Sequence, residues 1–307
     1  GLKLKGDMDF EDYFFESDLI DSKEINKFFN FKHPWGIPVR YHDFEKYSSI
    51  IKPDLFEFHL SYSDMKLNID DYLFKGNGIG FVVHAPELFE GSHLMDLATP
   101  DEMYRKKSLL ETQKVIDITK EINKYFPKQK NPFIVANVGG FSMDKPFNDN
   151  VKESYYEQFF KSLSELDTNG VEIIPQTMAP FPWHFGGQRY QNIFVHEDEI
   201  VYYCKKFNIR ICFDVSHSML TCNHFKKDFY KFADKVAPYT AHIHMGDSSG
   251  VNGEGLQIGD GEINFKKLSK ILNDKCPKAS FIPEIWQGHK NNGEGFWIAL
   301  KKLENLI

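Results

Sequence analysis

Eight short apolar runs along the chain each end on a polar side chain, and most of those side chains can hold a metal or move a proton. They are Ile-Pro-Val-Arg40, Phe-Glu-Phe-His59, Phe-Val-Val-His84, Phe-Ile-Val-Ala-Asn137, Val-Glu-Ile-Ile-Pro-Gln176, Ile-Cys-Phe-Asp214, Ala-His-Ile-His244 and Phe-Ile-Pro-Glu284. Continuous runs of Val, Ile and Phe mark strands buried on both faces. The pattern predicts strands over 37–41, 54–60, 79–84, 133–137, 170–175, 209–214, 240–245 and 280–285. Between them, apolar positions recur at helical spacing, which predicts helices over 100–125, 151–166, 196–206, 223–236, 265–274 and 294–306. The first of these is the clearest, opened by Pro100 and Asp101 and apolar along Val115, Ile116, Ile118 and Ile122. Strand and helix in alternation predict an α/β fold, a (β/α)8 TIM barrel. In such a barrel the strand C-termini converge on one mouth, where function sits. Two connections at that end, 85–99 and 176–195, are unusually long, as loops that carry function often are.

Length fits this picture. The chain has 307 residues, enough for one barrel of about 250 with a short N-terminal extension. Residues 1–32 are acidic and aromatic without a strand pattern. They are read as an extension or linker, the tail of a preceding domain, with the barrel over 33–307. The first residue is Gly rather than Met, which suggests a piece of a longer polypeptide or a tag remnant. The net charge is −7, whereas a nucleic-acid binder normally carries a basic face. No nucleic-acid partner is expected. No run of 18 apolar residues exists, so no membrane span is expected either. No signal peptide is visible and the cytoplasm is the default location. Cys204, Cys212, Cys222 and Cys276 show no Cys-x-x-Cys pairing and read as reduced, buried thiols.

The chemistry gathers late in the chain. Asp214-Val-Ser-His217 is followed by His242-Ile-His244-Met-Gly-Asp247 and then by Glu284. Alternation along a strand puts His242 and His244 on one side, with only His244 at the mouth. Each residue alone has an ordinary reading: a hydrogen-bonded His, a helix-capping Asp, a Glu paired with Lys. Three in order on the sixth, seventh and eighth strands favour a polar catalytic or metal site. One His nitrogen with carboxylate oxygens suits Zn, Mn, Co or Mg. The loop with Trp183, His184, Gln188, Arg189 and Tyr190, and Trp286 beyond the last strand, offer rings and a guanidinium to a polyhydroxylated or anionic small molecule. The equal alternative for Trp183 and Phe185 is packing on the rim.

From roughly 79 to 290 the chain resembles the xylose-isomerase-like barrel superfamily, which includes endonuclease IV and the ketose 3-epimerases. Val-His84-Ala-Pro with the following Met-Asp-Leu-Ala-Thr-Pro-Asp-Glu segment, Asp214-x-x-His217, His244-x-x-Asp247 and Ile-Gly-Asp-Gly-Glu-Ile carry the likeness. The resemblance implies one divalent metal ion held by Gln176, Asp214, His244 and Glu284. It departs from the endonuclease at Asn137, where a His is usual, at Gln176, where a Glu is usual, and at Gly253-Glu254-Gly255, which lacks the Asp-x-His pair. The three-ion site is therefore not expected.

The implied function is isomerisation or epimerisation of a carbohydrate or sugar phosphate by proton abstraction beside a carbonyl. Epimerases of this kind use a metal-bound Glu on each face of the carbon. Gln176 cannot accept a proton, which leaves Glu284 as base and His217 as its catalytic partner, with His84 and Glu57 as further candidates for the opposite face. His84, Asn137, Trp183, His184, Arg189, Asp247 and Trp286 are the expected substrate contacts. Two alternatives stand: an endonuclease IV-like phosphodiesterase, and a non-catalytic sugar-binding barrel within a larger surface-sugar biosynthetic protein. A vestigial site with its metal loosely held or absent belongs with the second.

Overall fold

A computed structural model describes residues 25–75, 78–184 and 187–307. Most of the expected extension, residues 1–24, lies outside the described residues. Eight parallel strands form the centre: β1 (Gly36–Val39), β2 (Leu55–His59), β3 (Gly80–His84), β4 (Phe133–Ala136), β5 (Glu172–Pro175), β6 (Ile211–Asp214), β7 (Thr240–Met245) and β8 (Ser280–Pro283). The first five pair in sequence order and so do the last three. Bridges Gln176↔Cys212 and Trp35↔Phe281 join the two arcs into a ring. Every predicted strand is present, most of them one or two residues shorter than the apolar run, trimmed at the first end in β3, β5 and β6 and at the last end in β1, β4 and β8.

The helices are eight in number among the described residues but not one per strand. They are α1 (Tyr41–Ile50), α2 (Glu102–Asn123), α3 (Asp149–Glu165), α4 (Glu197–Phe207), α5 (Val215–Phe225), α6 (Phe229–Val236), α7 (Phe265–Lys275) and α8 (Lys290–Leu303). Between β2 and β3 only two short 3₁₀ turns occur. The expected helix over 223–236 is two helices. Asp214 caps α5 through the His217 N–H, Lys226 ends it in a left-handed conformation, and Asp228 caps α6.

Two apolar layers hold the ring. Leu55, Val82, Val135, Ile174, Cys212, Ala241 and Ile282 fill the barrel interior. A larger layer packs strands against helices, with Phe44, Phe56, Phe58, Phe81 and Phe126 meeting edge-on or tilted at ring separations of 5.1–6.4 Å. Each such buried ring contributes about 1.5–3 kcal/mol relative to exposure. All four cysteines are buried and unpaired by disulfide.

A buried cation ties the wall that carries β3 and β4. Arg105 on α2 donates to Ser162 Oγ at 3.1 Å and to both oxygens of Glu165 on α3, while its Nη2 reaches Glu102 at 2.8 Å. Its side chain is 2% exposed, so removing the guanidinium leaves a cavity and takes the shared donor from Ser162 and Glu165, while Glu102 keeps Gln158 and Lys161. Arg105→Ala is expected to cost about 3 kcal/mol, read as a lower denaturation midpoint with an unchanged slope. An unchanged midpoint would show that hydration of the two carboxylates replaces the pairing.

Candidate active site

At the mouth, one buried carboxylate organises a set of imidazoles. Glu57, in mid-β2 and wholly buried, accepts from His242 Nε2 at 2.6 Å, His244 Nε2 at 2.8 Å and His59 Nε2 at 3.0 Å. Burial alone would raise its pKa, but the facing His244 and His242 rings hold it well below the usual carboxylate range. Ser280 Oγ, 2.7 Å from His242 Nδ1, fixes that ring from the other side.

Because His244 gives its Nε2–H to Glu57, its Nδ1 is presented to the acids at the strand ends. Glu284 Oε2 lies 2.6 Å away and Asp214 Oδ2 3.6 Å away. Burial disfavours a charged His244 ring, yet Cys212, Glu284 and Glu57 around it raise its proton affinity well above the imidazole norm. Burial also works against the Glu284 carboxylate, and His244 holds that group well below its usual range. Glu284 Oε2 is buried and makes no hydrogen bond of acceptable geometry. Asp214, His244 and Glu284 each offer one ligand atom within 4.8 Å of the others. A carboxylate behind a histidine whose other nitrogen faces two further carboxylates is the donor set a divalent ion takes. The three residues fit such an ion.

Gln176 does not join that set as expected. Its amide nitrogen donates to Asp214 Oδ2 at 2.8 Å and lies 3.4 Å from both His244 Nδ1 and His217 Nδ1, while its oxygen is turned to His84 Nε2 at 3.1 Å. Two acceptors, Asp214 Oδ2 and the amide oxygen, would repel each other across this short gap, so the nitrogen faces the acid. Gln176 positions Asp214 and turns its amide nitrogen, rather than its oxygen, toward the cluster. A second cluster, Glu57, His84 and His244, is closed internally, because Glu57 already takes the His244 Nε2–H.

The other expected residues divide. His217 donates Nδ1–H to the Thr177 carbonyl at 2.9 Å and turns Nε2 toward Glu254, 3.5 Å away. Burial lowers its pKa, but Asp214 and Glu254 outweigh that and the ring is raised. Asn137 reaches Glu87 through its amide nitrogen and leaves Oδ1 buried without a partner. Trp286 lines a cavity of roughly 320 Å³ with Asp214, His217, Glu254 and Glu284. A second hollow of roughly 420 Å³, reaching Arg40 and His42, shares Glu284, Ile285 and His289 with it.

Asp247 departs from the expected substrate contact. It is fully buried, and its two oxygens accept the N–H groups of Ser248, Gly259, Gly261 and Ile263, which folds the loop after β7. Arg189 stacks on Phe141, 5.1 Å from the ring centre. The backbone of Trp183 and His184 forms a short strand paired with Gly187–Gln188, and their side chains lie outside the described residues, as does Phe185. Glu57 is enclosed by imidazoles and is not free to serve as a base.

A family model for the xylose isomerase-like TIM barrel matches residues 50–304. The chain belongs to the xylose isomerase-like TIM barrel family. Solved structures agree on the fold. A D-tagatose 3-epimerase-like protein is 20% identical with a TM-score of 0.60, covering 88% of this chain and 95% of that one. D-Psicose 3-epimerase from Clostridium cellulolyticum H10 is 15% identical with a TM-score of 0.60, covering 88% and 96%. A 3-keto-D-glucoside 4-epimerase from E. coli is 15% identical with a TM-score of 0.59, covering 88% and 98%. No curated protein matches the chain in sequence. Among the described residues, no helix is long and apolar enough to cross a membrane.

Two groups of the mouth had only faint signals in the sequence. Glu87 follows β3 by three residues inside a long loop, and Glu254 stands where the resemblance called for an Asp-x-His pair. Loop position alone identifies neither.

Proposed function

We propose that this barrel epimerises or isomerises a sugar or sugar phosphate by removing a proton from the carbon beside a carbonyl. The observation that carries the reading is the Asp214–His244–Glu284 cluster, backed by Glu57 and opening on the cavity of roughly 320 Å³. One divalent ion held by these three side chains would polarise a substrate carbonyl and hydroxyl. Glu284 is the base: its side chain lines the cavity and is 37% exposed, while those of His244 and Asp214 are almost wholly buried. Its depressed pKa keeps it in the carboxylate form from which a base must start. His217 Nε2 would donate to a substrate oxygen and Asn137 Oδ1 would accept from a substrate hydroxyl, with Trp286 lining the cavity. A phosphodiesterase of the three-ion kind is disfavoured, because Asn137 and Gly253-Glu254-Gly255 lack the needed ligands.

The test is interconversion of D-fructose, D-psicose and D-tagatose and their 6-phosphates, followed by chromatography, with Mn²⁺ supplied or chelated. Product that disappears on chelation and returns with Mn²⁺ supports the reading. Cleavage of an abasic-site duplex with no sugar interconverted would replace it.

Metal titration adds an independent expectation. Gln176→Glu places a carboxylate against Asp214, a repulsion that a cation relieves. Affinity for Mn²⁺ should rise about tenfold, since ligand charge sets affinity at oxygen-rich sites, and the metal-free variant should melt below the wild type. Equal affinity in calorimetric titration would place Gln176 away from the ion.

A further inference from the structure

We propose that Glu87 is the second catalytic residue, transferring a proton on the face of the substrate carbon opposite Glu284. The assignment rests on the epimerase reading above and deepens it. Inverting a carbon through proton removal and return requires one group on each face, and the amide at Gln176 cannot serve.

The other groups of the mouth are engaged. Glu57 is enclosed by three imidazoles. His84 lies between the Ala85 carbonyl at 2.9 Å and Gln176 at 3.1 Å. His217 leans on Asp214, 3.4 Å away, and gives Nδ1–H to the Thr177 carbonyl. Glu87 is placed differently. It leaves the end of β3 half-buried, and its Oε1 accepts from Asn137 Nδ2. Asn137 ends β4, and β4 stands four strands from β8 in a ring of eight, directly across from Glu284. The wall behind it is fixed. Asp96 Oδ1 accepts the Gly140 N–H at 3.2 Å, and Gly139, at φ +93°, packs so close to Asp96 that a Cβ would collide.

Asn137, from which Glu87 accepts, follows the strand opposite the one that carries Glu284, so the Glu87 carboxyl is held across the ring from that base. Burial pushes the Glu87 pKa up to about 7, which leaves both protonation states populated near neutrality, as a two-way acid and base needs. The step balances. Glu284 takes the carbon-bound proton, and the C–H electron pair moves into the enediolate. Protonated Glu87 then gives its proton to the opposite face, where a new C–H bond forms. Glu284 ends protonated and Glu87 ionised, and solvent exchange resets both. The reverse reaction exchanges their roles.

The experiment uses the full chain loaded with Mn²⁺, in D₂O, with D-fructose and D-psicose, which differ only at C3. Deuterium entry at C3 and epimer formation are both followed by NMR. In Glu87→Gln, epimer formation should fall at least about 100-fold. Deuterium should still enter the one epimer whose proton faces Glu284, within about tenfold of the wild-type rate, while the other epimer stops exchanging. Glu87→Asp should recover part of the epimerisation, which a merely structural role would not produce. Glu87→Gln with wild-type epimerisation, or with exchange lost equally from both epimers, would overturn the assignment and leave the epimerase reading standing. The same holds if Glu254→Gln shows the one-sided loss instead. A wild type that exchanges no carbon-bound hydrogen in either ketose would overturn the epimerase reading and this assignment with it.

Discussion

Glu284→Gln is expected to abolish turnover while the barrel stays folded. A positioned base contributes about 10²–10⁴-fold, and the amide cannot accept the proton. The same change removes one of three candidate ligands, so the combined loss should exceed about 10³-fold in kcat. Folding should suffer little, because the side chain is 37% exposed and the amide is the same size. Its Oε2 makes no hydrogen bond that folding relies on. The check is a ketose interconversion assay beside a thermal melt. An unfolded variant would show that the His244–Glu284 contact stabilises the fold, and a variant with full kcat would remove Glu284 from the mechanism.

Glu57→Gln should be costly in a different way. Glu57 takes hydrogen bonds from three imidazoles and is wholly buried. The variant keeps the shape but loses the charge that holds those rings, and its NH₂ group faces one of their N–H groups. Breaking a buried ionic network by changing one partner costs about 3–5 kcal/mol. Loss of the carboxylate behind a ligating His lowers metal affinity by about 10–100-fold, so both a melt and a Mn²⁺ titration should move. The pH dependence has a definite sign. The folded pKa of Glu57 lies well below its ordinary value, so its contribution is complete above about pH 4.3 and is lost as pH falls toward the folded pKa. The wild type should therefore lose stability relative to Glu57→Gln on acidification below that point. Identical acid profiles would mean that the imidazoles, and not Glu57, carry the network.

The strands and the residues closing them were legible because each strand is buried on both faces and so reads as an unbroken apolar run. The helices were less so. Tyr41, Phe44 and Tyr47 form the buried side of α1, but these three rings sit among polar residues and no side chain caps the helix. Asp214 was readable as a ligand or as a cap. It is a cap through Oδ1, with Oδ2 in the cluster, and the dual role hid α5.

The interior network was half visible. His242 and His244 sit on one side of β7 as their spacing requires, but their common partner is Glu57, 185 and 187 residues away in sequence. Its only local mark was a charge inside the run Phe56-Glu57-Phe58. Asp247 was expected to contact the substrate, from its place in His244-x-x-Asp247. Its use in folding the next loop depends on four backbone N–H groups that no side-chain pattern records.

In the proposed reaction this mouth removes a proton from a sugar carbon next to a carbonyl. The most direct measurement is deuterium entry at C3 of D-fructose or D-psicose, or of their 6-phosphates, in D₂O with the Mn²⁺-loaded wild type. Exchange at that carbon is expected at a rate matching or exceeding epimer formation, and is lost on chelation. Epimer formed with no solvent deuterium at the inverted carbon would contradict it.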